Sequence, residues 1–268
     1  MRALVVAPMA FIAALSFVSI LPAAAPVYSA DGLVNSADNQ PGWLAPNTIA
    51  TLYGKYLANN TVSLSAADIR GGVLPTVLPS TGVRVLVNGL PGNPYYVSPT
   101  QINFLVPPNL LPGPSTFQLI IDGLAGPPIS VILTAAAPAL FQLDQQTIIA
   151  TRADCSLITS AAPAKPGDVL VLYATGLGQT TPPVGYGELP SSAAPLEMLT
   201  YFQVLLDGNP VDSSGIAYAG IAPGFAGLYQ INLTLPPRYR LQPRNSHSSR
   251  RRSQHPRATY SRQSVMIN

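Results

Sequence analysis

The residues that could carry chemistry are few and lie far apart along the chain. Glu188 and Glu197 are its two glutamates, and most glycoside hydrolases work with a pair of carboxylates that flank the scissile bond. Both lie in or beside residues 180–195, a stretch rich in proline and glycine. Such a stretch is typical of an irregular, solvated loop. We therefore favour a structural role for both glutamates and predict that the protein is not an enzyme.

Cysteine and histidine are too sparse for nucleophilic or metal chemistry. Cys155 is alone, so it has no partner for an internal disulfide and is more simply a turn or small-core residue. Both histidines, His247 and His255, lie near the end of the chain, away from any catalytic triad or zinc cluster. Asp31 and Asp38 lack the regular acidic spacing of a calcium loop. We predict no catalytic residue, no metal site and no cofactor.

Aromatic side chains give the one indication of a binding surface. The candidates are Trp43, Tyr95, Tyr96, Tyr218 and Tyr229. Aromatic rings at the ends of a β-sandwich can stack on sugars or anchor protein partners. The alternative is that these rings are core and corner residues, in keeping with ordinary burial preferences.

These aromatic residues lie beside blocks of sequence that occur twice. The blocks are Leu-Tyr at 52–53 and 172–173, Val-Leu-Val-Asn-Gly at 85–89 with Val-Leu-Leu-Asp-Gly at 204–208, and Gln-Ile-Asn at 101–103 and 230–232. Three blocks in the same order indicate a duplicated module. We predict one module at residues 33–134, here called the first repeat, and another at 135–237, the second repeat.

The composition predicts that each repeat is built from strands. Charged residues make up 9% of the 268 residues, against roughly 25% in ordinary soluble proteins, and 29 prolines and 21 glycines make long helices improbable. Apolar residues alternate at Val83, Val85 and Val87 before an Asn88-Gly89 turn signal. The prediction is an all-β chain of two tandem immunoglobulin-like β-sandwich modules, the second truncated.

The longest motifs of the second repeat resemble a known family. Pro-Gly-Asp at 166–168 with Ala-Thr-Gly-Leu-Gly at 174–178, and Tyr-Ala-Gly at 218–220 with Gly-Leu-Tyr-Gln-Ile-Asn at 227–232, resemble the C-terminal domain family of exported proteins of soil acidobacteria (the Solibacter C-terminal type). The start of the first repeat, at 45–54, resembles IPT/TIG-type domains. The resemblance covers residues 33–237 and implies an immunoglobulin-like fold but no activity. Cys155 departs from the family's Asp-Gly-Ser turn.

The N-terminal residues have the pattern of a secretory signal peptide. Arg2 precedes an apolar run, and small residues follow at 23–25. We predict a signal peptide at 1–29 with cleavage after Ser29 or Ala30, hence a secreted or cell-surface protein. An uncleaved N-terminal anchor is the alternative, because the run is nearly long enough to span a membrane.

The last 31 residues differ in composition from the rest. Residues 238–268 hold eight of the twelve arginines and both histidines, whereas residues 30–237 carry five basic and eleven acidic residues, a formal charge of −6. A basic tail can bind nucleic acid or another polyanion. After its own Gln-Ile-Asn block, however, the first repeat continues with two more predicted strands, at 117–121 and 129–133. We therefore favour a basic, disordered tail that a reading-frame shift near codon 238 has put in place of those strands.

The function that this sequence predicts is that of an exported, non-catalytic surface, adhesion or scaffolding protein with an unknown protein or polysaccharide partner. A carbohydrate-binding accessory module is the alternative, and a polyanion binder depends wholly on a genuine tail. Apart from the tail we expect no nucleic-acid partner, and no transmembrane segment after cleavage of the signal.

Overall fold

A computed structural model describes residues 24–144, 147–237 and 263–267, and in this part of the chain the protein is all-β. The first eleven strands are β1 (Val27–Asn35), β2 (Trp43–Leu44), β3 (Ile49–Lys55), β4 (Val62–Ser63), β5 (Val83–Val87), β6 (Leu90–Pro91), β7 (Asn93–Val97), β8 (Gln101–Leu105), β9 (Gly113–Ile121), β10 (Leu124–Ala125) and β11 (Ile129–Leu133). The next are β12 (Ala139–Leu140), β13 (Gln142–Asp144), β14 (Thr147–Ile148), β15 (Ala150–Arg152), β16 (Val169–Thr175), β17 (Ala194–Pro195), β18 (Phe202–Leu206), β19 (Asn209–Pro210), β20 (Ile216–Ile221), β21 (Tyr229–Thr234) and β22 (Gln263–Ile267). Single 3-10 turns lie at Ala66–Asp68, Leu199–Tyr201 and Ser213–Gly215.

The first repeat contains two sheets. One has the order β1-β3-β8-β7-β4, and the other has the order β2-β11-β9-β5-β6, with β10 beside β9. Neighbouring strands are antiparallel except for the parallel pair β2 and β11. The predicted turn at Asn88-Gly89 is confirmed, because Asn88 adopts a φ of 50° and Gly89 also has a positive φ. Asp122 and Gly123 form an equivalent turn, with a φ of 48° at Asp122.

The core of the first repeat lies between these two sheets. Val83, Val85 and Val87 of β5 are buried, as their alternation predicts. Phe104 of β8 and Phe117 of β9 connect the sheets, with ring centroids 5.7 Å apart. Strand alternation therefore places one apolar face of each sheet on the other, as in a β-sandwich.

The first sheet of the second repeat has the same strand order as its counterpart. It is β12-β16-β21-β20-β17, with β15 also paired to β16. Taken in their order across the sheet, β16, β21, β20 and β17 correspond to β3, β8, β7 and β4. Ile231 and Leu233 are fully buried on one face of β21, as the alternation of side chains along a strand requires.

The second sheet of the second repeat has fewer described strands than its counterpart. It contains β19, β18 and β22, where β18 and β19 correspond to β5 and β6. In the first repeat β5 pairs antiparallel with β9, whereas β18 pairs in parallel with β22. Residues 238–262 lie outside the described part of the chain. The sequence predicts a disordered tail, whereas residues 263–267 form a strand. The physical reason is that the open edge of β18 offers unpaired backbone groups to any extended segment.

The start of the described chain belongs to the first repeat. Residues 1–23, most of the predicted signal peptide, lie outside the described residues. Val27 and Tyr28 begin β1 and pair with Lys55 and Gly54 of β3. Cleavage after Ser29 would therefore remove residues that pair with this sheet. No helix in the described ranges is long and apolar enough to cross a membrane.

Candidate functional site

The five candidate aromatic residues do not converge on one site. Trp43 begins β2, Tyr95 and Tyr96 lie on β7, Tyr218 lies on β20 and Tyr229 begins β21. Trp43 is half-exposed, Tyr229 is fully buried, and the other three are partly buried. They therefore belong to different environments.

Tyr229 lies where the two repeats meet. Its hydroxyl donates a hydrogen bond to the backbone oxygen of Gly178 at 2.5 Å and accepts one from Nδ2 of Asn47 at 3.1 Å. Burial raises the pKa of Tyr229 to about 12, and the Asn47 amide opposes that rise. Asn47 belongs to the turn before β3, so this tyrosine joins the second repeat to the first.

Tyr95 also joins the repeats, and a bulge in β7 explains how. Pro94 pairs with Phe104 and Tyr96 with Asn103, so Tyr95 is an extra residue in the strand. Its hydroxyl donates to the backbone oxygen of Ala226 at 2.6 Å. Burial raises the pKa of Tyr95 above its usual value. The ring is thereby part of the interface between the repeats.

Further contacts fix the same interface. The Thr175 hydroxyl accepts from the backbone N–H of Ile49 at 2.9 Å and donates to the backbone oxygen of Gly227 at 2.7 Å. The N–H of Leu74 donates to Gly187 at 2.8 Å. Leu74, Leu105 and Ala226 form a small apolar cluster across the boundary. The two repeats are therefore held together by both polar and apolar contacts.

The stability of this interface should fall at alkaline pH. The folded-state pKa of Tyr229, about 12, exceeds the value of about 10 for an unfolded tyrosine. Below pH ~10 both states hold the proton and the contribution is complete. As pH rises from ~10 to ~12 the unfolded state releases its proton first, so the free energy of unfolding falls by up to ~1.4 kcal/mol per pH unit.

Urea unfolding between neutral pH and pH ~11 measures this slope. Tyr229→Phe removes the titrating group and should make the loss with pH shallower by up to ~1.4 kcal/mol per unit. Tyr56→Phe, at a tyrosine 56% exposed, is the matched control and should follow the unsubstituted protein. An equally steep loss in Tyr229→Phe would contradict the assignment.

Tyr218 closes a turn inside the second repeat. Its hydroxyl donates to the backbone oxygen of Ile221 at 2.7 Å and lies 3.2 Å from that of Ala194. Burial raises the pKa of Tyr218, and the bond to Ala194 lowers it. Since β17 contains Ala194, this hydroxyl ties the edge strand to β20.

Trp43 presents its ring outward beside other apolar residues. It is 52% exposed, whereas its neighbour Leu44 is 4% exposed, as the alternation of a strand requires. Its cross-strand partner is Ile132, which in turn pairs with Pro114. Ile132 and Pro114 are exposed as well. We call Trp43, Ile132 and Pro114 the apolar row, since they lie side by side across three strands.

The two glutamates contribute to loop structure. The Glu188 carboxylate accepts a hydrogen bond from the N–H of Gly185 at 3.0 Å, and Glu188 forms a bridge with Val73 of the first repeat. The backbone N–H of Glu197 donates to the backbone oxygen of Gln179 at 2.9 Å. Glu188 is therefore part of a loop that lies against the first repeat, whereas this backbone contact of Glu197 stays within the second repeat.

Cys155 lies in a tight turn, as one of its two predicted roles requires. It is exposed and its φ is +66°, a conformation that glycine adopts without strain. The Asp154 carboxylate accepts from the N–H of Ser156 at 2.9 Å, which closes the turn. Among the described residues, no group of three or more His, Cys, Asp or Glu side chains could hold a metal ion.

Replacing this cysteine should stabilise the protein. Cys155→Gly relieves the left-handed strain, and we expect a gain in the free energy of unfolding of ~0.5–1 kcal/mol. Ala153→Gly, in the same turn but without positive φ, should instead cost a few tenths of a kcal/mol because it only adds freedom to the unfolded chain. Urea unfolding of both variants, in reducing buffer, would disprove the assignment if both destabilised equally.

Comparison with models of known protein families gives no match to this sequence. Comparison with curated proteins gives no match either.

Proposed function

We propose that the protein is exported and acts as a non-catalytic surface, adhesion or scaffolding protein of immunoglobulin-like sandwiches, and that it binds through the apolar row. The observation that carries this proposal is the exposure of the Trp43 ring beside Ile132 and Pro114. Contiguous exposed apolar groups are a common feature of interaction surfaces. Tryptophan is also enriched among the residues that dominate binding energies.

The rigid connection between the repeats supports a scaffolding role. Three hydroxyls form hydrogen bonds that join the repeats, those of Tyr95, Thr175 and Tyr229. A surface held on two firmly joined units loses little conformational entropy when a partner binds. This favours a fixed contact surface over one that forms on binding.

Sedimentation with isolated cell envelopes tests the proposal. The protein should co-sediment, and Trp43→Ala should weaken the association by about tenfold or more, the usual cost of removing a central aromatic anchor. Phe225→Ala is the matched control, because Phe225 is a similarly exposed aromatic residue, 59% exposed, in the second repeat. Equal loss in both variants, or no association at all, would refute a role for the apolar row.

A carbohydrate-binding module is the second candidate, and the same ring favours it. The flat face of Trp43 beside Pro114 and Ile132 has the shape and polarity to pack against the C–H face of a sugar. Retention on insoluble cellulose, chitin or xylan, lost in Trp43→Ala and kept in Phe225→Ala, would select this alternative. A polyanion role would instead require salt-sensitive heparin binding that disappears when residues 238–268 are removed.

A further inference from the structure

A second candidate binding site lies between the two repeats, away from the apolar row. A cleft of about 320 Å³ has Pro46, Asn47 and Pro108 of the first repeat on one side. Gln179, Val184 and Tyr186 of the second repeat lie on the other. Its volume is at the lower end of the range for small-molecule sites, about 300–1,000 Å³. The contacts of Tyr229 and Thr175 described above hold its two walls together.

A residue that lines this cleft carries an unpaired acceptor. Asn47 lines it, is 6% exposed, and adopts a φ of 62° in its turn. Its Nδ2 is fixed by the Tyr229 hydroxyl, whereas its Oδ1 is buried without a hydrogen-bond partner. An acceptor left unpaired in this way costs about 1–3 kcal/mol. A ligand that donates a hydrogen bond to this oxygen would recover that cost.

The other unpaired amide oxygens do not belong to this site. Those of Asn60 and Asn93 are also buried without a partner, but neither residue lines the cleft. Asn93 has a structural role, since its Nδ2 donates to the backbone oxygens of Leu74 and Pro75. Asn47 is therefore the one of the three placed to meet a ligand.

The chemistry of the walls defines the ligand class. None of the described lining residues is charged, and the polar side chains among them are amides and hydroxyls. Three prolines and the Tyr186 ring provide apolar faces. We propose that this cleft binds a neutral saccharide unit of one or two rings, with a sugar hydroxyl donating to Oδ1 of Asn47. A charged sugar is excluded because its charge would be desolvated without a partner.

Titration of the full chain with cellobiose, maltose and lactose, followed by ligand-observed NMR, tests the proposal. At least one should bind with a Kd near ~1 mM, the weak range expected for one small ligand. Asn47→Gly keeps the positive φ and should weaken binding about tenfold, the equivalent of one lost hydrogen bond. Asn88→Gly makes the same change at another left-handed asparagine, one that does not line the cleft, and should bind as the unsubstituted protein does.

A second variant keeps the proposal testable if Asn47→Gly does not fold. Asn109 is an exposed lining residue, so Asn109→Trp should fill the cleft without disturbing the core, and binding should be lost. Trp43→Ala should leave binding in the cleft unchanged, which separates this site from the apolar row. Glucuronate, titrated in the same way, serves as the charged probe. The proposal is overturned if none of the disaccharides binds, if Asn47→Gly and Asn109→Trp both bind normally, or if glucuronate binds better than all three disaccharides.

Discussion

A chain that begins at Asp31 should be less stable by about 2–4 kcal/mol than one that begins at Pro26, because it loses a half-buried aromatic ring and two hydrogen bonds. Tyr28 is the reason. Its hydroxyl accepts from the N–H of Leu119 at 3.0 Å and donates to the backbone oxygen of Pro127 at 2.7 Å. Its ring contacts Phe117 edge-to-face at 5.7 Å. The shorter chain loses all three contacts and the first pairs of β1 with β3.

Urea unfolding of the two chains measures the difference. Tyr28→Phe in the longer chain is an informative intermediate, because it keeps the ring contact and should lose about 1–2 kcal/mol for the two hydrogen bonds. Val27→Ala is the control, since Val27 is 58% exposed and should cost little. Equal stability of the two chains would show that residues 26–30 add nothing to the fold. The intact mass of the protein recovered from its producing cells and from their medium reports directly whether cleavage occurs and spares Tyr28.

The strand pattern was predictable from sequence because it depends on neighbours. Alternation placed Val83, Val85 and Val87 in the core, and Asn88-Gly89 placed the turn after them. The repeat in sequence likewise marked β16 and β21 as counterparts of β3 and β8, and the two pairs do lie together in the same way. Alternation, turn signals and repeated blocks can be read without knowledge of distant contacts.

The roles of the tyrosines were not predictable in the same way. Tyr95 depends on a bulge within β7 and on Ala226, 131 residues away. Tyr229 depends on Asn47, 182 residues away. Composition and alternation do not encode such pairs, so the sequence left binding and core roles open for both. Nothing in the sequence around Asn47 indicated a contact with the second repeat. Thr175 stood out only as part of the motif at 174–178 that resembles a known family.

Replacing residues 238–268 with the continuation of the first repeat, residues 109–134, should stabilise the second repeat. In the first repeat Val85 of β5 pairs with Leu119 of β9. Because Val85 corresponds to Val204 of β18, the grafted strand should place its leucine opposite Val204. It would also bring the counterparts of Phe117 and Ile121, which are buried in the first repeat. We expect a gain of at least ~2 kcal/mol, since each such side chain contributes about 1.5–3 kcal/mol before entropy losses.

The free energy of unfolding should be measured for three chains: the natural chain, one that ends at Pro237, and the graft. Serine in place of the three grafted apolar residues is the matched control and should cancel the gain, because a strand without an apolar face buries little. Hydrogen exchange at β18 should slow in the graft and accelerate in the chain ending at Pro237, where its edge is open. If the natural chain proves as stable as the graft, the parallel strand β22 already completes this sheet and the reading-frame hypothesis fails. The opposite outcome has two parts: the graft is more stable, and another reading frame across codons 225–268 encodes two strands with alternating apolar residues. The antiparallel partner of β18 is then the ancestral one, and binding should be measured on the chain encoded by that frame.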